Sequence, residues 1–132
     1  MSRNPIVSDF MERNCTRLNP QLKLSEALNI LIERQLIAAL VVDEQEQPIG
    51  ILSEKDCLRE LLNKGYNQMP LGTVKEYMHP APEAVSESTP IAELTKLFSD
   101  SPHRRWPVME AGELTGQITR RGVLMGYQKL LR

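Results

Sequence analysis

Gly50-Ile51-Leu52-Ser53-Glu54-Lys55-Asp56 reads as a short apolar strand running straight into the first turn of a helix. Ser53 and Asp56 stand three residues apart, so one helical turn brings a hydroxyl and a carboxylate to the same edge. Beside the free backbone N–H groups of a helix start, that pair has the chemistry to hold a sugar and a phosphate. The same two residues also make an ordinary helix cap that complements the helix dipole. The pattern returns as Gly116-Gln117-Ile118-Thr119-Arg120-Arg121-Gly122, where a glycine replaces the carboxylate.

Outward from these stretches the chain reads as two copies. Val7-Ser8-Asp9-Phe10-Met11 matches Val74-Lys75-Glu76-Tyr77-Met78 at an offset of 67, each a single amphipathic helical turn. A helix is predicted over 24–34, with Leu24, Ala27, Leu28, Leu31 and Ile32 on one stripe. Its counterpart takes Thr89 as N-cap and Pro90 as first helical residue, with Ile91, Leu94, Thr95 and Phe98 on the stripe. Apolar strands ending in an acid follow, Ala38-Ala39-Leu40-Val41-Val42-Asp43 and Arg105-Trp106-Pro107-Val108-Met109-Glu110. Turns at 44–48 and 111–113 lead to second strands over 49–52 and 114–118, and the shorter second turn suits a tight hairpin. Closing helices are predicted over 54–63 and 121–130, and the Gly- and Pro-bearing residues 64–72 read as a linker. The two repeats are thus placed at residues 1–66 and 67–132, together forming one module.

The 132 residues carry 16 basic against 17 acidic side chains, so net charge offers no bulk attraction to nucleic acid. Residues 1–66 sum to −2 and residues 67–132 to +1. The apolar run from Leu36 to Val42 is far too short to span a bilayer, and the N-terminus does not read as a signal peptide. Cys15 and Cys57 show neither metal-ligand spacing nor a disulfide framework. A cytoplasmic location is the resulting expectation. No Cys/His or Ser/His/Asp arrangement and no Gly-rich phosphate loop points to catalysis, and His79 and His103 have no evident partners in sequence.

The element order, the Trp106-Pro107-Val108 strand and the Gly50-to-Asp56 motif resemble the CBS domain, the cystathionine β-synthase repeat found in tandem as a Bateman module. The resemblance runs over about residues 5 to 130. It implies an α+β fold of two βαββα repeats packed about a pseudo-twofold axis, with a cleft for each repeat. It implies a stand-alone, non-catalytic regulatory module that binds AMP, ADP, ATP or S-adenosylmethionine and signals to a protein target. An energy-sensing role, no required cofactor, no metal, and a disc-like homodimer follow from the same resemblance. The alternative is a dimeric interaction scaffold whose clefts are vestigial.

By that resemblance Ser53 meets a phosphate and Asp56 takes the ribose hydroxyls, a carboxylate being a sound acceptor for a diol. The second copy, with Gly122, is expected to lack this contact, and Gly122→Asp to supply it. Thr119 is the counterpart of Ser53. Arg121 fits the basic residue that reaches a phosphate held by the other repeat. Arg104 and Arg105, leading the Pro-Val strand, join Arg120 and Arg121 in a cationic cluster, with His103 either part of it or a surface loop residue. Ile37, Ala38 and Ala39 leave room for a base, or fill a tight core. Arg17 stands where the family often has a Thr that touches the base. Trp106 is read as core, the methionines as packing, and Cys57 as buried and inert.

Overall fold

The computed structural model describes residues 4–64 and 72–131. Of the linker expected over 64–72, residues 65–71 lie outside that description. In chain order the elements are α1 (Val7–Phe10), β1 (Arg17–Leu18), α2 (Leu24–Glu33), β2 (Ala38–Val42), β3 (Pro48–Ser53), α3 (Glu54–Lys64), α4 (Val74–Tyr77), β4 (His79–Pro80), α5 (Ile91–Ser99), β5 (Arg105–Glu110), β6 (Glu113–Thr119) and α6 (Arg120–Leu130). They form two compact units, Thr16–Ala81 and the pair Met1–Cys15 with Pro82–Arg132. The first is the Asp56 unit and the second the Gly122 unit. The sequence period divides the chain at 66/67, whereas packing divides it at 15/16 and 81/82. Each unit therefore takes its short leading turn from the other repeat.

In the Asp56 unit one sheet runs β1-β2-β3-β4, with β1 parallel to β2 and the other pairs antiparallel. β2 has a neighbour on both sides, and all five of its residues are buried. In the Gly122 unit β5 and β6 form the hairpin, and single bridges hold the two flanking places. These are Val85 parallel to Val108 and Glu12 antiparallel to Gln117. The hairpin turns at Ala111 and Gly112, with φ of 50° and 78°, the left-handed pair that a two-residue connection requires.

The exchanged turns are held alike. The Val7 N–H donates to the Thr89 carbonyl and the Ile91 N–H to that of Pro5, at 2.9 and 3.0 Å. In the other unit the Val74 N–H donates to Leu22 and the Leu24 N–H to Gly72, both at 2.9 Å. Val7 and Val74 are completely buried, each in a separate core. Burying such a side chain contributes about 1.5–3 kcal/mol, enough to seat a four-residue turn.

Several details differ from the sequence expectation. Ile32 is exposed, because the buried stripe of α2 is the narrower Leu24, Ala27, Leu31 set with Leu28 beside it. Thr95 is likewise exposed, the stripe of α5 being Ile91 and Leu94 with Phe98 at its margin. Thr89 is not the N-cap of α5. Pro90 holds that place with an extended ψ of 138°, so the helix starts at Ile91, while the Thr89 hydroxyl accepts from the Ser86 N–H at 3.2 Å. Asp43 ends its strand as a turn-former, its Oδ1 accepting from the N–H groups of Gln45 and Gln47 at 2.9 Å each. Trp106 is core as expected, edge-on to Phe98 at 4.8 Å, and His103 packs edge-on against it at 5.6 Å.

Candidate functional site

In the Asp56 unit β3 runs directly into α3, and Ser53 and Asp56 lock the junction. Asp56 Oδ2 accepts from the Ser53 N–H and from its Oγ–H, both at 2.8 Å, and Ser53 Oγ accepts from the Asp56 N–H at 3.2 Å. This is a reciprocal capping box, so the helix-cap reading is realised in the geometry. The cap occupies one carboxylate oxygen. Asp56 is only 2% exposed, and its Oδ1 completes no hydrogen bond. Two basic side chains face that oxygen: His79, with Nε2 at 3.0 Å, and the Arg59 guanidinium at 3.6 Å. The His79 approach is close but lacks hydrogen-bond geometry. One oxygen of the side chain therefore caps the helix while the other makes no hydrogen bond.

Strand pairing brings the neighbouring candidates to this junction. Ala38 pairs with Ser53 and Ala39 with Leu52, and the Glu54 N–H donates to the Ile37 carbonyl at 2.8 Å. Ala39 belongs to the core, Ala38 is buried beside Ser53, and Ile37 is 62% exposed. Arg17, on β1 opposite Leu40, forms a 3.2 Å ion pair with Glu46. Cys57 is buried, and burial together with the charges of Asp56 and Glu54 pushes its thiol pKa up, which keeps it protonated and inert.

The Gly122 unit builds its edge differently. Thr119 caps α6 through one bond, accepting from the Gly122 N–H at 3.3 Å. Arg105 pairs with Thr119 across the hairpin, and the Arg120 N–H donates to the Arg104 carbonyl at 3.3 Å. Arg104, Arg105, Arg120 and Arg121 thus meet at one end of the hairpin, as the sequence pattern anticipates. Arg104, Arg120 and Arg121 are exposed. Arg105 is half-buried, and burial lowers its pKa against the opposing pull of Glu12 and Cys15. It donates to Gln117 Oε1 at 3.5 Å, the far limit of a hydrogen bond, while Gln117 Nε2 donates to Glu12 at 2.8 Å.

Gly122 is not simply a missing acid. A Cβ there would lie 2.8 Å from the Phe10 carbonyl oxygen and 2.7 Å from Ile118 Cδ1. The glycine lets α1 lie against α6, so the expected conversion by Gly122→Asp is corrected: the space for an aspartate is filled by backbone. Reading by sequence alone missed His79, Glu12 and Gln117. The available signal was the period itself, which sets Glu12 and His79 67 apart, each directly after the matching methionines Met11 and Met78.

Among the described residues no group of His, Cys, Asp and Glu is placed to hold a metal ion, and no helix is long and apolar enough to cross a membrane. A family model described as CBS domain matches residues 7–63 and 74–128. The chain is similar to the chloroplastic CBS domain-containing protein CBSX2 of Arabidopsis thaliana, 25% identical over 158 residues, which cover 96% of this chain and 65% of that protein. It also matches the uncharacterized protein MK0525 of Methanopyrus kandleri, 25% identical over 123 residues, covering 92% of this chain and 62% of that one. The chain thus spans a little under two thirds of the length of these relatives. The solved structure of the CBS-pair protein CBSX2 from Arabidopsis thaliana superposes with a TM-score of 0.81 at 26% identity, covering 98% of this chain and 99% of that one. CBSX2 has also been solved in complex with AMP, with a TM-score of 0.78 at 28% identity, covering 96% of this chain and 98% of that one. ATU1752 from Agrobacterium tumefaciens, at 22% identity and a TM-score of 0.80 over 92% of each chain, shares the fold.

Proposed function

The chain belongs to the CBS domain family, and from that premise we propose that it is a non-catalytic regulatory module. It takes an adenine nucleotide at the Ser53–Asp56 edge and passes the binding on to a protein target. The observation that carries this reading is Asp56 Oδ1, a buried carboxylate oxygen left without a hydrogen bond after its partner oxygen has capped α3. A ribose diol supplies the donors that such an oxygen lacks. The exposed Ile37 and small Ala38 beside Ser53 offer an apolar face for a base. Arg104, Arg105 and Arg121, with Thr119, lie at one end of the β5–β6 hairpin, and these cations suit the phosphate of such a ligand. CBSX2 in complex with AMP is a related protein holding a ligand of this class.

The test is thermal melting and calorimetry with AMP, ADP, ATP and S-adenosylmethionine, on the natural chain and on Asp56→Asn. The amide keeps a capping oxygen but presents no acceptor at the second position. Saturating ligand at about a hundred times its Kd should add about 2.7 kcal/mol of stability to the natural chain, and Asp56→Asn should lose that gain. No shift of the natural chain at millimolar ligand would sink the reading.

A second reading, an interaction scaffold assembled as a homodimer, is favoured by the apolar side chains on the closing helices. Leu58 and Leu62 of α3 and Leu124 of α6 are 65%, 83% and 68% exposed. Sedimentation of the natural chain against Leu62→Glu and Leu124→Glu tests the dimer, and the scaffold reading requires both that these changes dissociate it and that no adenine nucleotide shifts its melting.

A further inference from the structure

Asp56 Oδ1 does not face open solvent; a histidine stands on it. His79 is placed there by β4, whose His79 pairs with Ile51 while Gly50, on the same strand, lets the Met78 side chain and the His79 carbonyl come close. A Cβ at Gly50 would sit 2.5 Å from Met78 Sδ and 2.8 Å from the His79 oxygen. The imidazole Nε2 then lies 3.0 Å from Oδ1, with 44% of the side chain still exposed to water. In the Gly122 unit the matching place holds Glu12, which pairs with Gln117 where there is no aspartate to face. A basic side chain occurs where the carboxylate occurs, and an acid where it does not.

We infer that His79 is a proton-operated gate on the sugar acceptor of this site, so that nucleotide affinity rises as His79 loses its proton. The inference rests on the nucleotide reading above. Protonated, His79 holds Oδ1 as an ion pair that a ribose hydroxyl must displace; neutral, it releases the oxygen. The charged groups around it leave this role to the imidazole alone. From α3 it faces Asp56 and Arg59, with Glu60 buried one turn further along. β3 carries no titratable side chain, and α4 contributes the exposed Lys75 and Glu76 together with Tyr77. Arg59 is charged throughout the range, more distant at 3.6 Å, and 54% exposed, so it shields Asp56 without switching. Reciprocity requires that a bound sugar in turn lower the proton affinity of His79.

The experiment is calorimetric titration with AMP at about pH 8 and about pH 5.5, on the natural chain and on His79→Gln. The phosphate of AMP titrates in both, so the comparison isolates His79. The natural chain should lose roughly two- to fivefold more affinity on acidification than the variant, the scale of a partly exposed ion pair. Equal losses in the two proteins overturn the gate and leave the nucleotide reading standing. No binding by the natural chain at either pH overturns the nucleotide reading, and the gate with it. If His79→Gln does not melt as one folded species, the His79 imidazole of the natural chain is followed by NMR through the same range with and without saturating adenosine, a neutral ligand carrying the same sugar. The midpoint must fall on binding; an unchanged or raised midpoint overturns the gate.

Discussion

The strand-to-helix junction at Ser53–Asp56 and the one at Thr119–Gly122 descend from the same sequence pattern and solve opposite problems. At the first, a buried carboxylate accepts two 2.8 Å hydrogen bonds from Ser53, whose hydroxyl accepts a third at 3.2 Å from the Asp56 N–H, and one carboxylate oxygen stays toward a histidine. At the second, the side chain is gone and the Phe10 carbonyl of α1 stands close to where it would begin. One junction keeps a polar group that chemistry can use; the other gives the space to close packing. The cations are distributed the other way, with Arg104, Arg105, Arg120 and Arg121 gathered beside the glycine. A duplicated fold thus builds two different junctions by changing a few side chains rather than its backbone plan.

Forcing the two junctions to be alike should have the largest effect. Gly122→Asp is expected to cost about 2–4 kcal/mol in urea unfolding, because the new side chain must displace a backbone carbonyl and bury a charge. A variant as stable as the natural chain would break the comparison at its root. The two caps should then separate in strength. Ser53→Ala removes a reciprocal box around a buried carboxylate and should cost about 2 kcal/mol, whereas Thr119→Ala removes a single 3.3 Å bond and should cost about 0.5 kcal/mol. Equal losses would mean that the box contributes no more than an ordinary cap.

Smaller effects sharpen the comparison elsewhere. Both units carry non-glycine residues in the left-handed region, Gln35 after α2 at φ 55° and Glu46 in the β2–β3 turn at φ 61° in one, Ala111 in the hairpin at φ 50° in the other. Gln35 closes a Schellman turn, with the Leu36 N–H donating to the Leu31 carbonyl at 2.8 Å. Gln35→Gly and Ala111→Gly should each raise stability by about 0.5–1 kcal/mol, read from denaturant midpoints at unchanged m-value. The smallest effect is confined to the Gly122 unit and depends on pH. The Arg13 guanidinium donates to Glu87 at 2.9 and 3.2 Å, and with a further hydrogen bond from Thr115 it holds that carboxyl below the usual range. A carboxyl depressed in the folded state stabilises above its unfolded pKa of about 4.3 and loses that contribution as pH falls through its folded value. The melting temperature of Arg13→Ala should therefore fall below that of the natural chain at pH 7 and converge with it under acid conditions. A gap that persists in acid would assign the loss to packing of the arginine stem.

Much of this was legible in the residues. The 67-residue period, most of the stripes of α2 and α5, the bounds of β5 and the tight hairpin rest on local spacing, and local spacing is what a sequence displays; that Glu113 joins the strand, leaving a two-residue turn, was not legible there. The pairing of Ser53 with Asp56 and the gathering of the arginines follow from the same short-range logic. Thr89 misled because it stands before a proline in the usual capping place, yet an extended Pro90 moved the helix start by one residue. Ile32 and Thr95 misled because periodicity shows an apolar stripe without showing how wide a neighbour covers it.

By itself, then, the amino-acid order determined two copies of one α+β plan and the exchange of a carboxylate for a glycine between them. Only the tertiary structure decided which copy each leading turn completes. Val7 and Val74 head the same apolar pattern, so the pattern alone does not assign each to its core, and the assignment shows in hydrogen bonds made far along the chain. The same long-range packing set His79 upon Asp56 and Glu12 upon Gln117. Those contacts join residues 23 and 105 positions apart, and a periodicity of two or 3.6 residues carries no record of them.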